Sequence, residues 1–275
     1  MTPSDSRADS VITFDNVRLG LDEGDVLRNL SFHVAHGETL ALLGETASGK
    51  TLALKLAAGL LQPDSGRVRV LGRDVSSMTE DDLLAFRRQI GFVFQEGALF
   101  DSLTVGDNVA YRLREDGLPE EEIQPRVREA LRFVELEDTI EKLPSELSGG
   151  MRRRVSIARA LVSRPPVVLY DSPTAGLDPV TSQTIITLLL RLRDLQGVTA
   201  ILATHRLQDV FALANYRFDV ASARVVSLPK SGPAASRNGY PATRFLVLRD
   251  GAVYFEGDQQ AILSSSDPYL KRFLV

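Results

Sequence analysis

Short apolar segments alternate along the chain with longer segments that have helical periodicity. Five of the apolar segments have the length and composition of β-strands: residues 11–17, 39–43, 90–94, 167–170 and 199–203. The middle three are almost entirely apolar, which is typical of strands buried on both faces. Strands of this kind that alternate with helices predict an α/β fold built on a parallel sheet covered by helices.

The helical pattern is strongest in the middle of the chain. Residues 52–60 predict one helix, which is followed by a turn. Between Phe94 and about Ser163 the strand pattern disappears, and apolar residues at helical spacing predict a helix over 120–136. A further helix is expected to follow Gly150. This region predicts a helical insert within the α/β core.

Three segments have the composition of loops and turns. Residues 221–244 are rich in Ser, Pro, Gly and Ala, which predicts a mobile surface loop. The pair Asp250-Gly251 lies between apolar segments at 244–248 and 252–255 and predicts a hairpin turn. The polar residues 1–10 are expected to form a disordered arm.

Composition excludes several classes of function. The chain has 275 residues, of which 44% are hydrophobic and 25% charged, and its formal net charge is -4. This near-neutral balance argues against a nucleic-acid partner. The absence of cysteine excludes disulfide scaffolds, thiolate metal sites and cysteine catalysis. No segment has the roughly 18 consecutive apolar residues that a membrane span needs, so we expect contact with a membrane only through a partner.

The most specific motif is a phosphate-binding loop between a predicted strand and a predicted helix. Its residues match the pattern G-x-x-x-x-G-K-[ST]: Gly44, Glu45, Thr46, Ala47, Ser48, Gly49, Lys50 and Thr51. Main-chain N–H groups of such a loop surround the phosphates of a nucleotide. We expect Lys50 to contact the β- and γ-phosphates and the Thr51 hydroxyl to bind Mg²⁺. A chance glycine-rich turn is the alternative, and the flanking elements argue against it.

Two further motifs are ordinary when each is taken alone. Gln95 ends a predicted strand, where its amide could contact both Mg²⁺ and an attacking water, although a capping or surface role is more common. Ser148 can cap a helix, and Gly149 and Gly150 after it allow an anion to approach the main chain.

Two strand ends carry side chains suited to phosphate chemistry. Asp171 ends the apolar strand 167–170, the position that holds Mg²⁺ in phosphate-loop proteins. A single aspartate at a strand end is usually a turn former, and the phosphate loop reverses that expectation. His205 follows the strand 199–203, where an imidazole could sense a γ-phosphate.

In this order the motifs resemble those of the ATP-binding subunits of ABC transporters. GETASGKT resembles Walker A, Gln95 the Q-loop, LSGGM the signature, VVLYD Walker B, residues 175–178 the D-loop and His205 the switch histidine. The resemblance implies a P-loop NTPase. Its RecA-like core with an antiparallel β part would span residues 11–94 and 164–275, and its helical subdomain 95–163. It also implies a homodimer that sandwiches two ATP molecules, each phosphate loop facing the other subunit's signature, and an integral membrane permease as partner.

Two longer segments carry a finer resemblance. FQEGALFDSLTVGDNVAY and LPSELSGGMRRRVSIARAL, with Met151 where most ABC subunits have Gln, resemble the ATPase of the phospholipid transport systems that maintain outer-membrane lipid asymmetry. Such systems include a permease and an MCE-type lipid-binding protein. The resemblance implies a peripheral subunit on the cytoplasmic face of the inner membrane. The surface formed by residues 95–111 is expected to dock the permease, because the segment contains the apolar residues Ala98, Leu99, Phe100, Leu103 and Val105; packing of these residues within the helical subdomain is the alternative.

The chain departs from the family pattern at three places. Ala47 stands where the family usually has Gly, which is costly if its φ is positive. Only aliphatic residues occur at 19–21, where an aromatic side chain would stack on adenine. Ser172 stands where the family has its catalytic Glu.

Three alternative functions are compatible with the sequence: the motor of a lipid transporter, a non-transport ABC protein, or a degenerate subunit that binds ATP but hydrolyses it slowly. Ser172 favours low turnover, with His205 and, across the dimer, Asp178 as substitute bases.

Overall fold

The computed structural model describes residues 10–21, 24–228 and 243–274. The strands are β1 (Ser10–Leu21), β2 (Gly24–Ala35), β3 (Thr39–Gly44), β4 (Ser65–Val70), β5 (Arg73–Asp74), β6 (Ile90–Val93), β7 (Val167–Asp171), β8 (Thr199–Thr204), β9 (Tyr216–Asp219), β10 (Arg224–Ser227), β11 (Thr243–Arg249) and β12 (Ala252–Gly257). The helices are α1 (Lys50–Ala57), α2 (Glu80–Arg87), α3 (Val105–Glu115), α4 (Glu120–Phe133), α5 (Gly149–Leu161), α6 (Pro179–Gln196), α7 (Leu207–Asn215), α8 (Gln259–Ser264) and α9 (Pro268–Leu274).

A six-stranded sheet forms the centre of the molecule. Its order is β12-β11-β3-β8-β7-β6, and every neighbouring pair is parallel except β11 and β12. Strands β3, β7 and β8 are buried at every residue, as their apolar sequences predict. The α/β fold expected from the sequence is confirmed.

The two faces of this sheet pack against different layers. On one face, Ala41 and Leu43 contribute to a core shared with α3 to α7. On the other face, Leu40 and Leu42 pack against α1 and a second, antiparallel sheet of order β2-β1-β4-β5. The stacked rings of Phe14 and Phe32, with centroids 4.5 Å apart, join β1 to β2 in that layer. Strand β2 is not among the strands predicted from the sequence, although Leu30, Phe32 and Val34 alternate with less buried residues as in a half-buried strand.

Three helices fill the segment between β6 and β7. Helix α3 begins at the cap Thr104, whose side chain accepts a hydrogen bond from the Asp107 N–H, and α5 begins at the cap Ser148. The predicted helix over 120–136 corresponds to α4, which ends three residues earlier. The division into a core and a helical subdomain at residues 95 and 163 remains a prediction.

The structure corrects the boundaries of two sequence predictions. The predicted mobile loop 221–244 contains β10 and the first residues of β11, because Arg224–Ser227 pair with Tyr216–Asp219 in a hairpin. The rest of that loop, residues 229–242, lies outside the described residues. Strand β1 begins at Ser10, so the predicted arm 1–10 is one residue too long, and residues 1–9 lie outside the description. Within the described ranges, no helix is both long enough and apolar enough to cross a membrane.

Candidate functional site

The carboxyl ends of the parallel strands bring the sequence motifs to one edge of the sheet. The strand pairing sets Leu43 beside Thr204 and Asp171 beside Ala203. The phosphate loop therefore begins next to the residue that precedes His205. On the far side of β7, Val93 pairs with Tyr170, so Gln95 follows β6 near Ser172. In open α/β sheets, small molecules bind outside the carboxyl ends of the strands, which is the edge where these residues lie.

The phosphate loop connects β3 to α1 and packs closely against the antiparallel sheet. Gly49 precedes α1 with φ 98°, and a Cβ at this position would lie 2.4 Å from Leu27 Cδ2. Leu27 belongs to β2, so the second sheet packs directly against the loop. Both the left-handed conformation and the close approach require glycine at this position.

Ala47 adopts a left-handed conformation with φ 63°. This is the condition under which the substitution of alanine for the usual glycine is costly. A side chain in the left-handed region costs roughly 1–2 kcal/mol. Glu45, Thr46 and Ala47 are all exposed, so no packing compensates for the strain at the tip of the loop.

Lys50 lies at the base of the loop, and its described hydrogen bonds go to uncharged oxygens. Its Nζ donates to the main-chain oxygens of Gly44 at 2.8 Å and Glu45 at 2.7 Å, and to Ser48 Oγ at 3.2 Å. Burial lowers the pKa of Lys50, while the charge of Asp171 acts in the opposite direction. A half-buried cation with neutral acceptors, set among main-chain amides, fits a phosphate group.

A hydrogen bond connects the two predicted Mg²⁺ ligands. Thr51 Oγ1 donates to Asp171 Oδ2 at 2.9 Å, although the residues are 120 positions apart. Asp171 is 5% exposed. A hydroxyl and a carboxylate oxygen are the hard donors that Mg²⁺ prefers, and Mg²⁺ usually takes its other ligands from phosphates and water. Accordingly, in the part of the chain that the structure describes, no group of three His, Cys, Asp or Glu side chains could hold a metal by itself.

Ser172 is buried and strained. Its φ is 47°, in the left-handed region, and its residue exposure is 8%. Its N–H donates to the Ala203 oxygen at 2.8 Å, and its Oγ donates to Asp171 Oδ1 at 3.4 Å. The hydroxyl is thus a neighbour of the candidate Mg²⁺ ligand. A neutral hydroxyl can orient a water but is a poor proton acceptor at neutral pH.

His205 is exposed at the end of β8, and the residue after it begins a polar network that sequence analysis missed. Arg206 Nη1 donates to the Thr174 oxygen and to Ser182 Oγ, both at 3.1 Å. The Thr174 hydroxyl donates to Asp209 Oδ2, and burial raises the pKa of that carboxyl group. Arg206 therefore joins the residue before the predicted D-loop to the first turn of α6, beside His205. No sequence motif predicts these contacts, because they join residues far apart in sequence.

The predicted signature begins α5 and packs against the start of α6. Ser148 Oγ accepts a hydrogen bond from the Met151 N–H at 3.2 Å, which confirms Ser148 as a helix cap. A Cβ on Gly150 would lie 2.3 Å from Thr181 Cγ2. Thr181 in turn donates its N–H to the helix cap Asp178 at 2.9 Å. Gly150 is therefore required for packing inside the subunit, whereas a Cβ on Gly149 would meet only the end of the Arg152 side chain, at 3.9 Å.

The segment after β6 presents aromatic side chains at the surface. Gln95 is exposed in a turn, and Arg159 of α5 donates to the main-chain oxygens of Gly97 at 3.1 Å and Ala98 at 2.7 Å. The rings of Phe100 and Tyr111 lie 4.8 Å apart, and both residues are at least 40% exposed. Hydrogen bonds from α5 thus hold this segment in place while its aromatic residues face outward.

The aliphatic segment 19–21 divides between core and surface. Leu19 is 5% exposed and belongs to the core, whereas Leu21 is 55% exposed. Between them the Gly20 N–H donates to Asp64 Oδ2 at 2.6 Å. Of the two leucines, Leu21 alone offers an apolar surface for contact with a base.

Comparisons with known proteins identify the family of this chain. Residues 27–175 match the family model described as ABC transporter. The intermembrane phospholipid transport system ATP-binding protein MlaF of Haemophilus influenzae is 32% identical over 90% of this chain and 94% of its own length. The methionine import ATP-binding protein MetN of Brucella abortus is 37% identical over 74% of this chain, but the match spans only 56% of that protein.

Solved structures share the architecture. A dimeric, post-hydrolysis state of the ATP-binding cassette MJ0796 bound to ADP and Pi has a TM-score of 0.71 at 30% identity, covering 90% of this chain and 98% of that one. The cbiO1 protein of Clostridium perfringens, part of the ABC transporter complex cbiONQ, has a TM-score of 0.74 at 27% identity, covering 97% of this chain and 95% of that one.

Proposed function

The chain belongs to the ABC transporter family as an ATP-binding subunit, and we propose that it binds and hydrolyses ATP to power the transport of phospholipids. The observation that carries the ATPase proposal is the hydrogen bond from Thr51 to Asp171 next to the half-buried Lys50. This arrangement combines the cation, hydroxyl and carboxylate that nucleotide phosphates with Mg²⁺ require. The rest of the phosphate loop, 44–49, would supply main-chain N–H groups.

Each of these side chains has a separate task in the proposed reaction. Lys50 would bind the β- and γ-phosphates, and Thr51 with Asp171 would hold Mg²⁺, which neutralises charge on the phosphates when it is bound. Gln95 would help to hold the metal and orient the attacking water. His205 would contact the γ-phosphate from the neighbouring strand end.

Hydrolysis is proposed to be slow because of Ser172. A general base on the attacking water contributes typically 10²–10⁴-fold to rate. The hydroxyl of Ser172 lies against Asp171 and cannot serve as this base at neutral pH. Phosphoryl transfer depends mainly on positioning and electrostatic stabilisation, so Lys50 and Mg²⁺ still support turnover. His205, which is exposed at the adjacent strand end, is the preferred substitute base, and Asp178 across the dimer is the weaker one.

The proposed active form is a homodimer that closes on ATP. Ser148, Gly149 and Gly150 would then face the phosphates bound by the other subunit. The exposure of Ser148 and Gly149 at the start of α5 supports this proposal. The similarity to a dimeric cassette with ADP and Pi supports it as well.

A permease is the proposed membrane partner, docked on the segment 95–111. Phe100 and Tyr111 form its aromatic centre, and Asn108, which is fully buried, holds the loop by accepting from the Phe100 N–H at 2.8 Å. Leu99 packs partly against the core, so a charged substitution there could also destabilise the fold. The exposed Phe100 is therefore the better position for a docking variant. Docking would place the subunit at the cytoplasmic face of the inner membrane. An MCE-type lipid-binding protein is the proposed further component.

Phospholipid is the proposed substrate because the similarity to MlaF extends over nearly the full length of both chains. Methionine is the competing substrate, since MetN has higher identity over the shared segment. The longer MetN chain contains a large part that this chain does not match. The extent of mutual coverage therefore favours phospholipid.

Reconstitution tests the proposal. A tagged chain is purified with its membrane partner and placed in liposomes that contain a fluorescent phosphatidylethanolamine. We expect ATP-dependent transfer of the lipid, and no transfer with Lys50→Ala. Uptake of labelled methionine without lipid transfer would show that the substrate assignment is wrong, and absence of an integral membrane partner would contradict the transport role.

Docking is tested with two exposed apolar positions. Phe100→Asp should release the chain from the permease while ATP binding is retained. Leu263→Asp is the matched control, because Leu263 is 51% exposed on α8 and lies outside the proposed surface. Equal retention of the permease by both variants would contradict the proposed docking surface.

A further inference from the structure

Helix α5 buries a guanidinium group beside the candidate reaction site. Arg153 is 6% exposed, although arginine is rarely buried in proteins. Burial lowers the pKa of Arg153, and the charges of Asp171 and Glu96 act in the opposite direction. Because an arginine side chain stays protonated in proteins, Arg153 is a fixed positive charge within the electrostatic influence of these two carboxylates.

Arg153 connects two segments that the sheet leaves apart. Its Nη1 donates to the main-chain oxygens of Phe94 at 3.1 Å and Ser172 at 3.4 Å. The pairing of β6 with β7 runs only as far as Val93 and Tyr170. Arg153 therefore joins the segments that follow β6 and β7, immediately beyond the last paired residues of the two strands.

The two segments carry the groups proposed to orient the attacking water. Phe94 precedes Gln95, and Ser172 follows Asp171. Ser172 has a φ of 47°, and a strained conformation of this kind persists only where the surroundings hold it. The Ser172 N–H donates to the Ala203 oxygen, and the Ser172 main-chain oxygen accepts from Arg153. These two hydrogen bonds provide that support.

We propose that Arg153 is a positioning residue that holds Gln95 and Ser172 at a fixed separation for hydrolysis. The inference rests on the proposed ATPase function. Arg153 acts through the main chain and does not bind phosphate. A displacement of about 1 Å in a reacting group can lower a rate by about 100-fold, so loss of this bridge slows the chemical step more than it weakens ATP binding.

The neighbouring residue supplies a matched control. Arg154 also lies on α5 and also donates from Nη1 to two main-chain oxygens, those of Val134 at 2.9 Å and Glu135 at 3.5 Å. These acceptors follow the end of α4 and belong to none of the motifs. Arg153→Met and Arg154→Met therefore remove the same chemical group and the same kind of contact at two places.

The experiment measures kcat and KM for ATP in the wild-type chain, Arg153→Met, Arg153→Lys and Arg154→Met. We expect Arg153→Met to lower kcat about tenfold and to change KM less than about twofold, as an interaction with the transition state alone requires. Arg153→Lys keeps a cation and should recover part of kcat. Arg154→Met should stay within about twofold of the wild type in both constants. A KM effect without a kcat effect, or equal kcat losses in both methionine variants, would overturn the proposal.

Amide hydrogen exchange without nucleotide gives a second readout. Arg153→Met should raise exchange in 95–98 and 172–175 together, whereas Arg154→Met should raise it near 134–136. Unchanged exchange in the first two segments, or raised exchange with an unchanged kcat, would also overturn the proposal. If the wild-type chain hydrolysed no ATP, the proposed function would fail, and the exchange result alone would then decide whether Arg153 forms the bridge.

Discussion

The two halves of the candidate nucleotide site differ in how many of the expected functional groups they contain, those for phosphate binding in one half and those for hydrolysis in the other. The phosphate loop, 44–51, has the cation and hydroxyl that binding requires, and its one irregularity is the strained Ala47. The strand end Asp171–Ser172 has the candidate metal ligand followed by a hydroxyl, which under the proposed function leaves the reaction without its usual base. On that proposal, binding and hydrolysis depend on different parts of the site, and a sequence can change one part while it retains the other.

The largest expected effect lies in the binding half. Lys50→Ala removes the cation at the base of the loop, so we expect ATP affinity to fall at least about 100-fold, since hydrogen bonds to charged groups are worth roughly 1.5–3 kcal/mol each. Lys50 is half-buried and its described hydrogen bonds go to neutral oxygens, so the fold should persist. A nucleotide titration with circular dichroism as the folding control measures both. Unchanged affinity would contradict the phosphate-loop assignment.

A smaller effect of opposite sign is expected in the hydrolytic half. Ser172→Glu supplies the missing carboxylate, and a general base contributes about 10²–10⁴-fold, so turnover should rise at least about tenfold. Steady-state ATPase measurements at saturating ATP test this. Ser172→Gln, of similar size and without a basic group, is the control and should give no increase. A wild type that turns over as fast as Ser172→Glu would show that another base already acts.

The candidate Mg²⁺ site, formed by Thr51 of one half and Asp171 of the other, can be tested by its own substitution. Asp171→Asn removes the carboxylate that accepts from Thr51 and should reduce the Mg²⁺ dependence of ATP binding. The apparent Mg²⁺ affinity should fall by roughly tenfold, about 1.4 kcal/mol. Titration of Mg²⁺ at fixed ATP measures this effect, and Asp178→Asn at the start of α6 serves as the control. Equal Mg²⁺ affinities in the two variants would contradict a metal at Asp171.

The smallest expected effect concerns stability in the binding half. Ala47→Gly relieves a left-handed conformation, and after the greater freedom of glycine in the unfolded chain is subtracted, the gain is about 0.5–1 kcal/mol. Denaturant unfolding measures it. Ala175→Gly, in the exposed loop before α6 and without a positive φ, should be neutral or destabilising. A loss of stability in Ala47→Gly would show that the strain is compensated elsewhere.

Much of the site was predictable because parallel strands end at one edge. Apolar segments located β3, β7 and β8, and the residues after them had to converge there, which placed Lys50, Asp171 and His205 together. The Arg206 network, the Arg153 bridge and the contact between Gly150 and Thr181 could not be predicted. Each joins residues that are distant in sequence, and a lone arginine or glycine carries no pattern that names its partner. The close approach of Leu27 to Gly49 likewise joins a strand to a loop that lies far from it in sequence.

The hairpin of β9 and β10 gives access to the molecule for spectroscopy. It follows α7 and precedes β11, whose first residue, Thr243, pairs with Thr39 at the edge of the sheet opposite the phosphate loop. Because the chain has no cysteine, a thiol introduced at the exposed Ala221 would be unique. A spin label or fluorophore there would report on subunit separation during the ATP cycle from a position remote from the nucleotide.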